Sequence, residues 1–125
     1  MLGLALAAMT ASACPVVGET PMIEAELFFG RDLQGHGIVS EAQWRDFADA
    51  VLAKSFPDGF TVADGNGFWR DRKGVAVHES SKVVIVITAN GPALTSKLHG
   101  AMNAYRTRFH QQSVGLATRE VCAAF

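Results

Sequence analysis

The residues that could do chemistry here are four histidines, two cysteines, a carboxylate set in an apolar strand and an aromatic–arginine pair in a hairpin arm. His99 and His110 fall on one predicted helix, eleven residues apart, which separates them by about 16 Å, too far to share a metal ion. His36 lies in a glycine loop and His78 on a hairpin arm, so no pair has ligand spacing, and neither a metal nor a cofactor is expected. Gly35-His36-Gly37 and Gly65-Asn66-Gly67 lack the downstream Gly, Lys and Ser/Thr of a phosphate loop and read as turns. Glu26 is the more promising group. It sits in the middle of a strand, where a carboxylate needs a partner, a pocket or water. Arg31 and Arg70 are its candidate partners, and a structural ion pair is the simpler reading beside catalysis. Trp69, next to Phe68, is a candidate partner-binding anchor, with His78 and Glu79 on the facing arm as its polar rim. No placed nucleophile accompanies them, so no catalytic residue is assigned.

The cysteines speak to address. Leu2 to Met9 is apolar and uncharged and gives way to Thr10-Ala11-Ser12-Ala13-Cys14, the pattern of a secretory signal peptide. A Cys directly after small residues suggests a lipobox, with lipidation of Cys14 and attachment to a membrane through that lipid. Ala11 stands where Leu is usual, and no Lys or Arg precedes Arg31. If Cys14 is acylated, Cys122 is left as a small buried hydrophobe. If it is not, an oxidising compartment permits a Cys14–Cys122 bridge, and the two outcomes exclude each other. The chain divides into a signal peptide (1–13), a tether (14–21) and a single domain (22–125).

Those 125 residues suit one domain with a real core. Apolar residues make up 49% and charged residues 18%, which marks a globular chain rather than a disordered one. The net charge is −1, with basic residues spread from Arg31 to Arg119, so nucleic acid is not an expected partner. No apolar stretch reaches the ~20 residues of a membrane-spanning helix.

The elements that must position these groups follow from periodicity. Met22 to Phe29 alternates, with Ile23, Ala25, Leu27 and Phe29 on one side and Glu24, Glu26 and Phe28 on the other: a half-buried strand. Gly30 to Gly37 is a loop. Ser40 with Gln43 forms a capping box for an amphipathic helix carrying Trp44, Phe47, Ala48, Val51 and Leu52 inward, ending near Ser55 before Pro57-Asp58-Gly59. Phe60 to Thr88 reads as one long bent hairpin, with a two-residue Lys73-Gly74 turn setting Arg72 opposite Val75 and Asn66 opposite Ser81. Two separate tight hairpins are the alternative. Lys82 to Thr88 is apolar on both faces and so is a central strand. A second helix follows Pro92, with Leu94, Leu98, Ala101, Met102, Tyr105 and Phe109 as its stripe. Ser113 to Thr118 is a last short strand before an apolar tail.

This order, β-α-β-β-α-β, is that of a ferredoxin-like α+β domain: an antiparallel sheet with two helices on one face. The other face mixes Glu24, Glu26 and Phe28 with apolar residues of the third strand. A face of that kind serves as a dimer interface or a ligand cleft. Homo-oligomerisation through it, or through the outer hairpin, is therefore expected. The second expectation is a small ligand-binding protein or enzyme using a cleft there.

Several segments are familiar as a set: Ala25-Glu26-Leu27-Phe28-Phe29-Gly30-Arg31, Val39 to Trp44, Phe56 to Val62, Gly67-Phe68-Trp69-Arg70-Asp71, Glu79 to Val83, and Tyr105 to Val114. The set resembles a family of small bacterial proteins, often read as lipoproteins, known as a domain of unknown function. The resemblance covers nearly all of the chain after the tether. It implies the periplasmic side of a bacterial envelope and a lipid anchor at Cys14, and it brings no activity and no catalytic residues. The expectation is an uncharacterised envelope protein acting as a non-catalytic binding or self-associating module.

Overall fold

A computed structural model describes residues 13–125. The signal-peptide segment Leu2 to Met9 and Ala11 lie outside the described residues. The elements are β1 (Thr20–Gly30), α1 (Glu41–Phe47, continuing through a π-helical turn Ala48–Leu52 and Ala53–Ser55), β2 (Thr61–Arg70), β3 (Ala76–Thr88), α2 (Leu94–Phe109) and β4 (Gly115–Ala123). The strands form one antiparallel sheet in the order β2-β3-β1-β4, which with the two helices makes an α+β fold.

The alternation of β1 decides which face the helices cover. Ala25, Leu27 and Phe29 are fully buried, opposite Val86, Val84 and Lys82 of β3. Against this face pack Trp44, Phe47 and Leu52 of α1 and Leu98, Ala101, Tyr105 and Phe109 of α2. Ser40 caps α1 as its sequence predicts: its hydroxyl accepts from the Gln43 N–H, and the Gln43 side chain accepts from the Ser40 N–H. The wider π-helical turn lets residues five apart, Phe47 and Leu52, both point into the core. Aromatic rings fill the centre, with Phe29 and Phe47 edge-on to Tyr105 at 4.8 and 5.1 Å. Among the described residues no element covers the other sheet face. It presents Glu24, Glu26 and Phe28 of β1 beside Ile87, Ile85 and Val83 of β3.

Two expectations are corrected. The β2–β3 hairpin is one long ladder, which removes the two-hairpin alternative, but its register is shifted by one: Arg70 pairs with Ala76 and Gly65 with Ser81, without interruption. The turn is a three-residue loop in which Asp71 accepts from Lys73 N–H and Val75 N–H, and Gly74 takes φ +78°. The Asp71 side chain and a left-handed glycine together favour the longer turn, and a one-residue slip exchanges the faces of the β2 side chains relative to β3. Next, β4 runs to Ala123, well beyond Thr118, and pairs with β1 as far back as Thr20. The segment read as a tether thus contributes its last two residues to the sheet. Of the two outcomes left open for the cysteines, the structure carries the bridge: Cys14 is bonded to Cys122, with 5.6 Å between their Cα atoms. The sulfur that lipidation of Cys14 would use is committed to the bridge, and Cys122 has a partner.

Candidate functional site

Where β1 leaves the sheet, Gly30-Arg31-Asp32 separates two polar clusters. On the helix side Lys82 is 4% exposed. Its ammonium donates to both Glu41 carboxylate oxygens, at 2.8 and 3.0 Å, and to Asp64. Arg31 closes the group. Its guanidinium contacts Glu41 at 3.1 Å and donates to the Val39 carbonyl at 2.6 and 2.9 Å. The Lys82 hydrogen bond pulls the Glu41 and Asp64 carboxyls below their ordinary values, against a smaller opposing effect of desolvation. Burial works to lower Lys82, but the bonds to Asp64 and Glu41 outweigh it and the ammonium is held above its ordinary value. A cation satisfied by two carboxylates and shielded from solvent is no nucleophile. The cluster is a clamp between the start of α1, β2 and β3.

The second cluster centres on Glu79. One carboxylate oxygen accepts the Trp69 indole N–H at 3.0 Å, the other the Asp32 backbone N–H at 3.2 Å. The carboxylate lies so close to Gly30 that a Cβ there would come within 3 Å of it. A side chain at position 30 would therefore displace the Glu79 carboxylate from this place. The Gly30 carbonyl accepts the Tyr105 hydroxyl at 2.6 Å, and burial drives that hydroxyl's pKa upward. The arrangement fixes a carboxylate beside a half-exposed indole.

The residues picked out from sequence are distributed unevenly over these clusters. Trp69 and Glu79 do meet. His78 instead stacks edge-on against Phe68, with centroids 4.3 Å apart. Glu26 meets neither proposed partner: Arg31 turns to Glu41, and Arg70 donates to the Gly74 carbonyl across the hairpin turn. A half-buried Glu26 borders a shallow cavity of about 80 Å³, next to the ion pair of the largely buried Glu24 with the exposed Arg119. The Glu26–arginine site is thereby corrected. Sequence reading missed Lys82, Glu41 and Asp64. The run Lys82 to Thr88 is apolar on both parities, so nothing in it marks the face on which Lys82 falls. Among the described residues no three of His, Cys, Asp and Glu converge as a metal site, and no helix is long and apolar enough to cross a membrane.

An antiparallel four-stranded α+β domain with a carboxylate held at the sheet's end is the class that fold and site define. The chain belongs to the family described as "Protein of unknown function (DUF3574)", which matches residues 24–125. No curated protein sequence matches it. Among solved structures it is similar to a phage SAM lyase in complex with S-methyl-5'-thioadenosine, at 17% identity and a TM-score of 0.64, covering 94% of this chain and 95% of that one. It is also similar to CutA from Synechococcus elongatus PCC7942, at 10% identity and a TM-score of 0.55, covering 85% and 83%. At such identities the likeness is one of fold.

Proposed function

We propose that this chain is an exported, self-associating domain of ferredoxin-like topology, acting by binding rather than by catalysis, in which a second copy covers the open sheet face. The observation that carries this reading is the bare centre of the sheet. Val83, Ile85 and Ile87 are only half-buried, and neighbouring Phe28 is 42% exposed. Apolar side chains on two central strands that no other described residue covers favour a partner surface. The ferredoxin-like assignment is supported by the strand order and by helices packed on one face. Export to the periplasmic side of an envelope is supported by the Cys14–Cys122 bridge, since disulfides persist in oxidising compartments. Light scattering coupled to size exclusion is expected to give an oligomer for the full chain, and Ile85→Glu is expected to give a folded monomer. A wild-type monomer at 100 μM, on the order of the concentrations such experiments use, refutes the reading; so does an Ile85→Glu oligomer.

A second reading has its own support. Glu79 beside the 46% exposed Trp69 offers charge and an aromatic face together, a pairing that suits an organic cation. The solved lyase of similar fold supplies a probe pair, S-adenosylmethionine, a sulfonium cation, and its uncharged relative S-methyl-5'-thioadenosine. Calorimetric titration is expected to show the cation binding more tightly, with Glu79→Gln removing the difference. No heat with either compound rejects this reading.

A further inference from the structure

A groove lined by none of the residues that carry either reading is independent of both. It has a volume of about 310 Å³ and lies between α2 and the turn that leads into β4. That is about the lower end of the range for small-molecule sites, roughly 300–1,000 Å³. Its polar lining is contributed by His99, Asn103 and Arg106 of α2, spaced i, i+4, i+7 along one face, and by Gln112 and Ser113 of the turn. Met102 and Val114 form its apolar floor.

The chemistry of the lining is one-sided. Every polar side chain in it carries a hydrogen-bond donor, one is a guanidinium, and no carboxylate is present. Of the two arginines near the end of α2, Arg108 is engaged, lying over the Phe47 ring at 5.9 Å. Arg106 has no side-chain partner among the described residues. The turn is also held in place. His110 takes a left-handed conformation (φ 53°) and its N–H returns to the Arg106 carbonyl. Gln111 donates from its backbone to that same carbonyl at 3.1 Å and from its side chain to the Asp32 carbonyl at 2.7 Å. Gln112 and Ser113 are therefore carried on a fixed rim rather than on a free loop.

We propose that this groove binds a small organic anion, its carboxylate or phosphoryl oxygens held by Arg106 and His99 and its apolar body resting on Met102 and Val114. Arginine suits both oxyanions because its planar fork donates two parallel bonds.

The test titrates the ¹⁵N-labelled full chain with benzoate, phenyl phosphate and benzyl alcohol, following amide shifts of residues 99–114. Saturable shifts with at least one anion and none with the alcohol are expected. The stronger anion assigns the carboxylate or the phosphoryl source. Arg106→Ala is expected to weaken that binding by about tenfold or more with a nearly unchanged melting temperature, because the side chain is exposed and makes no hydrogen bond or ion pair among the described residues. Asn103→Asp, which adds a carboxylate to the groove, is expected to abolish it. The proposal is overturned by equal binding of the neutral alcohol, by no saturable binding of either anion, or by Arg106→Ala binding as tightly as the wild type.

Discussion

Cys122→Ser is expected to lower stability by about 2–5 kcal/mol, the largest effect of any single substitution considered. The two cysteines are 108 residues apart in sequence. A cross-link over a loop of that size removes more unfolded-state entropy than a short one, and the chain-entropy estimate is about 4–5 kcal/mol. The bridge is also rooted in the end of the β1–β4 ladder, where Cys122 pairs with Pro21 one step inside the outermost pair, Thr20 with Ala123, so its loss allows that end of the ladder to fray as well. Cys14→Ser and the double variant are expected to match Cys122→Ser, because each removes the same bond. By differential scanning calorimetry the wild type is expected to melt about 10 °C or more higher in oxidising than in reducing buffer. Intact mass read alongside must show the protein two hydrogens lighter than its reduced form. A mass that instead carries a diacylglycerol on Cys14, with Cys122 free to thiol reagents, would restore the lipid anchor and remove the bridge.

The sequence is most legible where one face of an element is buried and the other is not. β1 declares itself through Ile23, Ala25, Leu27 and Phe29, and α1 through Trp44, Phe47 and the Ser40–Gln43 box, because water on one side imposes a period on the residues. The same logic explains the misses. β4 is an edge strand whose residues are nearly all exposed. With little burial on either side, Thr118-Arg119-Glu120 carries no alternation, and its second half reads as a tail. In the β2–β3 hairpin the period survives but its phase does not. Whether the turn holds two residues or three depends on the Asp71 side chain bonding to the turn's own N–H groups, which composition alone does not determine. That single slip decides which side chains accompany Trp69. As for Glu26, its place on the uncovered face is legible from alternation, whereas its partners depend on where Arg31 and Arg70 point after the strand and the hairpin turn have formed.

Lys82 is the residue whose substitution separates packing from charge. Its stem lies on the core face opposite Phe29, and its head is clamped by Glu41 and Asp64. Lys82→Ala is expected to cost about 2–3 kcal/mol at pH 7, chiefly through the buried methylenes, each worth about 0.8 kcal/mol. Lys82→Met restores the stem without the charge and is expected to stay within about 1 kcal/mol of the wild type, since an apolar residue of similar volume commonly replaces a buried ion pair at little loss. The two variants diverge further with pH. Glu41 and Asp64 are depressed in the folded state, so their contribution is complete above their ordinary values of 4.5 and 3.8 and is lost as pH falls through the lower folded values. Lys82 is raised, so its contribution is complete below its ordinary 10.5 and is lost as pH climbs through the folded value. In Lys82→Met the carboxyls lose the largest cause of their depression and keep only the smaller effect of Arg31, so acid destabilises that variant less. Thermal melts from pH 3 to pH 8 should therefore show the wild type losing more stability than Lys82→Met on the acid side, with a constant difference near neutrality. Parallel acid limbs would mean that the ammonium gives the carboxylates nothing. Throughout, the indole N–H resonance of Trp69 should remain in place in Lys82→Met. Glu79 is held by Trp69 and by the Asp32 backbone, and the Val39 carbonyl still anchors Arg31 when the lysine charge is gone. The clamp and the carboxylate beside the indole are thus separable, one serving the fold and the other available for binding.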